Sequence, residues 1–184
     1  MAPAATADCV LLELMPASVL RYIMLLVFVV WLGAIIFFGA VIAPVLFLHL
    51  PSEWAGSVVA PTLTILHWIG LASALSFLVI FLFAEIKRTH TRFEKAVPGL
   101  VLLMLLLTSI SQFYVLPKME RMRVIMEADS DFYTPLQIRP EDIKKARAAR
   151  SQFDSLHHWS TRIEGTVLIL GLIVLGYFTR SNTE

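Results

Sequence analysis

Four runs of nearly uninterrupted apolar side chains, each about 20 residues or longer, decide what this chain can fold into. At about 1.5 Å rise per residue, a helix of that length crosses the roughly 30 Å hydrocarbon layer of a bilayer. Inside hydrocarbon each backbone N–H and C=O must find a partner within the protein, and a helix supplies these partners locally. Composition agrees: 58% of the 184 residues are hydrophobic and 16% are charged, against about 45–50% and about 25% in soluble domains. The sequence therefore predicts an all-α, integral membrane four-helix bundle, a single transmembrane domain with spans at about 19–48, 62–86, 96–117 and 159–179. The lipid bilayer is its first partner.

Whole classes of function fall away. The single cysteine, Cys9, leaves no disulfide framework, no CxxC redox pair and no cysteine-ligated zinc or iron–sulfur centre. A formal net charge of +1 gives no basic face for nucleic acid. Neither an HExxH motif nor paired metal-binding carboxylates occur, so no metal site is expected. Residues 1–18 carry only Asp8 and Glu13 as charges and lack the basic start of a secretory signal, so cleavage is not expected.

The prolines set the expected breaks. Pro44 in the first span removes a backbone donor and is the expected kink. Leu50-Pro51-Ser52-Glu53 reads as a turn into a short interfacial helix, closed by Pro61 and carrying Trp54 at headgroup level. The third span reaches Pro117 and continues as a helix-compatible segment, KMERMRVIMEAD. Residues 130–139 read as a true loop. Pro140-Glu141-Asp142 then combines proline in the first turn with acids at the positive end of a helix dipole, a strong start signal. That helix is expected to run directly into the fourth span, so that spans three and four protrude from the membrane together as a helical hairpin.

Orientation rests on charge. The first short connection holds no Lys or Arg, and the second holds Lys87, Arg88, Arg92 and Lys95. Basic loops stay in the cytoplasm, which places the 87–95 turn and both termini there, in the cell membrane. The third connection opposes this with eight basic residues between Lys118 and Trp159. The two shortest loops are weighted most.

Ionisable groups at membrane depth face the bundle interior and mark candidate sites. His67 lies in the second span. Ser111, Tyr114, Lys118 and Arg121 recur at intervals of three or four and would share a helical face. His157, Ser160 or Thr161, and Glu164 do the same at the entry of span four. The polar cluster read from this spacing is Ser111, Lys118, Arg121, His157 and Glu164, with Glu164 and Asp154 pairing to Lys118, Arg121 or Arg162. One reading is a capped bundle end; the other is a small-substrate, lipid-headgroup or proton site. A third reading takes His67 and His157, from different spans, as axial ligands of a haem b.

Gly39–Ala43 and Gly70–Ala74 are small-xxx-small pairs that let helices approach closely, within the bundle or across a homo-oligomer. Trp31 is expected to be buried. Phe37, Phe38 and Phe47 suit lipid or core better than a cofactor.

Several landmarks together resemble a known family: WLGAIIFFGAVIAPVLF at 31–47, the Leu50-Pro51 turn, SQFYVLPKMERM at 111–122 and FDSLHHWS at 153–160. Their order is similar to that of the transmembrane protein 205-like family, small four-span membrane proteins classed as a domain of unknown function. The resemblance implies the four-span fold and a membrane location. It implies no catalytic residues. On these grounds the chain reads as a non-enzymatic accessory or small-solute transport-related factor, acting as a homo-oligomer or with a membrane-complex partner. The alternative is a haem-binding membrane oxidoreductase using His67 and His157.

Overall fold

A computed structural model describes residues 16–85, 96–131 and 140–180, and the described residues are helical apart from Pro16 and the turn at Leu50 and Pro51. Helix α1 (Ala17–Phe37) passes through a π-helical turn, π1 (Phe38–Ile42), into α2 (Ala43–His49). After the turn comes α3 (Ser52–Glu85). Helix α4 (Ala96–Ile110) likewise passes through a second π-turn, π2 (Ser111–Val115), into α5 (Leu116–Asp131). The last helix is α6 (Pro140–Arg180).

Four of these stretches are long and apolar enough to cross a membrane: Ser18–His49, Trp54–Leu82, Ala96–Met126 and Ile143–Phe178. Helix α6 runs unbroken from Pro140, as its start signal predicts, for 41 residues. The 87–95 turn and most of the 130–139 loop lie outside the described residues.

Four prolines act in three different ways. Leu50 is extended, at φ −119° and ψ 146°, because the ring of Pro51 disfavours a helical residue before it. Leu50 N–H still donates to Leu46 O at 2.9 Å, and Ala55 N–H to Pro51 O at 2.9 Å, so one helix ends and the next begins within a few residues. Pro61 corrects an expectation. It does not close a separate interfacial helix but lies inside α3, which is continuous from Ser52 to Glu85. A proline costs about 3 kcal/mol in a helix interior, yet the flanking residues are helix-compatible. Thr62 and Thr64 also donate their hydroxyls back to Val58 O and Ala60 O at 2.8 and 3.0 Å, keeping local polar groups satisfied.

Pro44 and Pro117 follow a third pattern. Each comes two residues after a π-turn, and the residue just before each proline donates five residues back: Ala43 N–H to Phe38 O, and Leu116 N–H to Ser111 O. A proline ring collides with the carbonyl four residues earlier. Widening the preceding turn by one residue moves that carbonyl aside, so the helix accommodates the ring without breaking. Where the sequence predicts a kink at Pro44, the helix carries this π-turn.

Packing fixes the order of the helices around the bundle. Helix α1 packs on α3, α3 on α4, α4 on α6, and α6 closes the ring on α1. Helices α3 and α6 therefore stand diagonally, without a helix–helix seam of their own. The core takes Phe28, Trp31 and Leu32 from α1, Leu66 and Phe77 from α3, Val101 and Met104 from α4, and Val167 and Val174 from α6. Two glycines allow the closest approaches. A Cβ on Gly70 would collide with Trp31 Nε1 and lie 2.8 Å from Trp31 Cε2, and one on Gly171 would lie 2.6 Å from Leu32 Cδ1. Gly70–Ala74 is thus a packing pair inside the bundle, with Ala74 fully buried. Gly39 faces open space.

The core stops short of the helix ends. Buried residues on α1 end at Ile35, and neither π1 nor α2 contributes one. Beyond that level α5 packs along the first half of α6, where Ala149 is buried. Outward faces are apolar as well, with Leu26, Ile65, Leu82, Leu106 and Ile169 all more than half exposed. A helix apolar all round belongs in lipid or in a large core.

Candidate functional site

Three spans send four polar side chains to the same point in the bundle. His67 comes from α3 and is almost wholly buried. Gln112 and Ser111 come from π2, and Glu164 comes from α6. His67 Nδ1 lies 2.9 Å from Gln112 Oε1, and His67 Nε2 lies 2.7 Å from Glu164 Oε1. Ser111 donates its hydroxyl to the same Glu164 oxygen at 3.3 Å.

Hydrogen-bond logic restricts the protons here. An amide oxygen can only accept, so Nδ1 carries a hydrogen and donates it to Gln112. The remaining contact, Nε2 to Oε1, needs one proton between two atoms. That proton makes an imidazolium–carboxylate pair when it rests on nitrogen and a neutral pair when it rests on oxygen. In both arrangements each buried polar atom of His67 keeps a partner, which is what a low-dielectric site demands. The pair also bridges the diagonal of the bundle, joining two helices that share no long seam.

The π-turn is what brings Ser111 and Gln112 in together. In a regular helix successive residues point about 100° apart, so neighbours rarely share a buried face. The wider turn reduces that angle, and Ser111, Gln112 and Val115 are all buried. The same insertion ends the expected stripe. Ser111 is buried, whereas Tyr114 is 62% exposed and Lys118 and Arg121 are exposed. The Lys118 ammonium lies over the Tyr114 ring, 5.6 Å from its centre.

Glu164 therefore takes His67 and Ser111 as partners, not the expected Lys118, Arg121 or Arg162. Arg162 lies 5.9 Å over the Trp159 ring, and Asp154 is exposed. His157 does not join the site either. It is exposed and stacks on Phe153 one turn earlier, with centroids 6.4 Å apart. On α6 the inward face at this height passes through Ser160 and Glu164, and with no α1 core above Ile35 the position of His157 opens to the outside. The structure thus places His67 and His157 apart, and both ring nitrogens of His67 are engaged. Among the described residues no group of three His, Cys, Asp or Glu side chains could hold a metal ion.

Gln112 is the site residue that the sequence reading passed over. Its signal was available: an amide beside Ser111 in an apolar span, five residues before a proline.

A family model described as a domain of unknown function (DUF4149) matches residues 26–128. The chain belongs to this family. The match spans α3, α4 and π2, and so includes His67, Ser111 and Gln112; Glu164 lies beyond it on α6. No curated protein and no solved structure matches the chain.

Proposed function

We propose that this member of the DUF4149 family is a non-enzymatic, multi-pass protein of the cell membrane with a small-solute transport-related role. The observation that carries it is the convergence of His67, Gln112 and Glu164 from three apolar helices. Ionisable groups inside a membrane bundle are costly and belong to substrate, ion or proton sites. The resemblance to the transmembrane protein 205-like family supports the same membrane reading. On this proposal the α5–α6 hairpin extends beyond the bilayer, and copies of the chain associate within it.

Glu164 gives the site an accessible pole. Its side chain is 18% exposed, against 1% for His67, and only Oε1 is engaged by His67 and Ser111. A small polar solute would meet that pole first. The test is a melting screen of the detergent-purified protein against small ammonium and carboxylate solutes. A solute that raises the melting temperature of the wild type but not of Glu164→Gln supports the proposal, and no shift across the panel overturns it. The haem alternative asks more of the geometry, since His67 would have to release a hydrogen bond and His157 would have to turn inward. A Soret band at near-stoichiometric intensity in the purified protein would favour it.

A further inference from the structure

We propose that Glu164 exchanges protons with one side of the membrane only, the side at which α5 and the first half of α6 pack together. The inference rests on the membrane reading above and names the proton as a ligand of the same site.

The distribution of buried polar groups supports it. Towards the α5 end, Glu164 is followed one turn earlier on α6 by Ser160, a buried hydroxyl, and then by the exposed His157 and Asp154. Towards the opposite end, Thr108 and Ser73 are the last buried polar side chains among the described residues. Below them the core is closed by aromatic rings from three helices. Phe28 of α1 lies 6.1 Å from Phe77 of α3, and Phe77 lies 5.8 Å from Phe178 of α6. Val97 and Val101 complete the seal from α4. From Thr108 to Val97 is about 16 Å of helix with no buried polar group on α4, too far for a proton to hop without water.

Few charged groups face the pair. Helix α3 offers His67, α6 offers Glu164, and α4 with π2 offers the uncharged Ser111 and Gln112. Helix α1 presents Trp31, Leu32 and Ile35. The next titratable groups lie towards the α5 end: His157, His158 and Asp154 on α6, and Lys118 and Arg121 on α5, all exposed. Thr108 and Ser73 lead a short way towards the opposite end and stop at the aromatic closure, with Tyr177 of α6 and Arg21 of α1 at or beyond it; on the α5 side Ser160 continues to exposed titratable groups.

The test uses the full chain in sealed lipid vesicles of known protein orientation, carrying a pH step without a protonophore. Dicyclohexylcarbodiimide, a hydrophobic reagent that modifies protonated carboxyls, is added, and the adduct on Glu164 is measured by peptide mass spectrometry. Labelling is expected to be several-fold greater when the α5 side is acidic than when the step is reversed, with no adduct at this position in Glu164→Gln. Equal labelling with either polarity, labelling that follows the 87–95 side, or no adduct on the folded wild type would each overturn the proposal. Solute movement plays no part in this readout. A fruitless solute screen leaves one-sided labelling standing, and two-sided labelling leaves the solute reading standing.

Discussion

Glu164 and His67 show how a polar pair is held inside an apolar bundle. Each partner satisfies the other, so removing one strands a buried group. Glu164→Leu leaves His67 Nε2 without a partner and is expected to destabilise the bundle by about 1–3 kcal/mol. Glu164→Gln keeps an oxygen at the same place and should cost less. The double variant His67→Leu with Glu164→Leu should recover much of the loss, because exchanging a whole buried pair for apolar groups is often near neutral. Melting in detergent ranks the three, and equal damage from Leu and Gln would contradict the pairing. Gly70 makes a second prediction at this scale. A methyl group there collides with Nε1 and Cε2 of the Trp31 indole, so Gly70→Ala should cost about 1–3 kcal/mol, and Trp31→Leu should relieve part of it. At Gly171 the clash is with the tip of Leu32, which can move, so alanine should be milder there.

Among the elements, the prolines divide by whether the helix has widened to receive them. Pro44 and Pro117 sit beyond π-turns that move the clashing carbonyl away, whereas Pro61 lies inside α3 with no such turn. Pro61→Ala restores a backbone donor in a regular helix and is expected to raise stability by up to about 3 kcal/mol. Pro44→Ala and Pro117→Ala should gain less, and Pro117→Ala should disturb the site because π2 no longer has a reason to persist. A thermal melt of the three variants tests the order; a larger gain at Pro117 than at Pro61 would refute it. Helix existence and the long reach of α6 were readable from apolar runs and from the Pro140 start signal. The phase of α4 was not. Spacing of three and four placed Ser111, Tyr114 and Lys118 on one face, and one inserted residue in π2 put Ser111 inside and the other two outside.

Across the whole molecule, orientation remains a matter of charge. With the 87–95 turn in the cytoplasm, Thr89→Cys in a Cys9→Ser background should resist impermeant thiol reagents in intact cells and react once the membrane is opened. Efficient labelling from outside would reverse the topology. The α5 end would then face the cytoplasm, and so would the entry to Glu164.

What the sequence determined by itself is the solvent and the element type: apolar runs of this length leave the backbone no better option than helices in a bilayer. It also marked His67, Ser111 and Glu164 as polar groups that such an environment must satisfy. Which of them meet was decided by tertiary structure alone. Charge and spacing favoured Lys118, Arg121 and His157 as partners, but those residues lie past the level at which α1 leaves the core, where a long side chain gains more from water than from burial. Gln112 and His67 lie below that level. There, each unpaired polar atom is costly, and the π-turn before Pro117 supplies the geometry that pairs them.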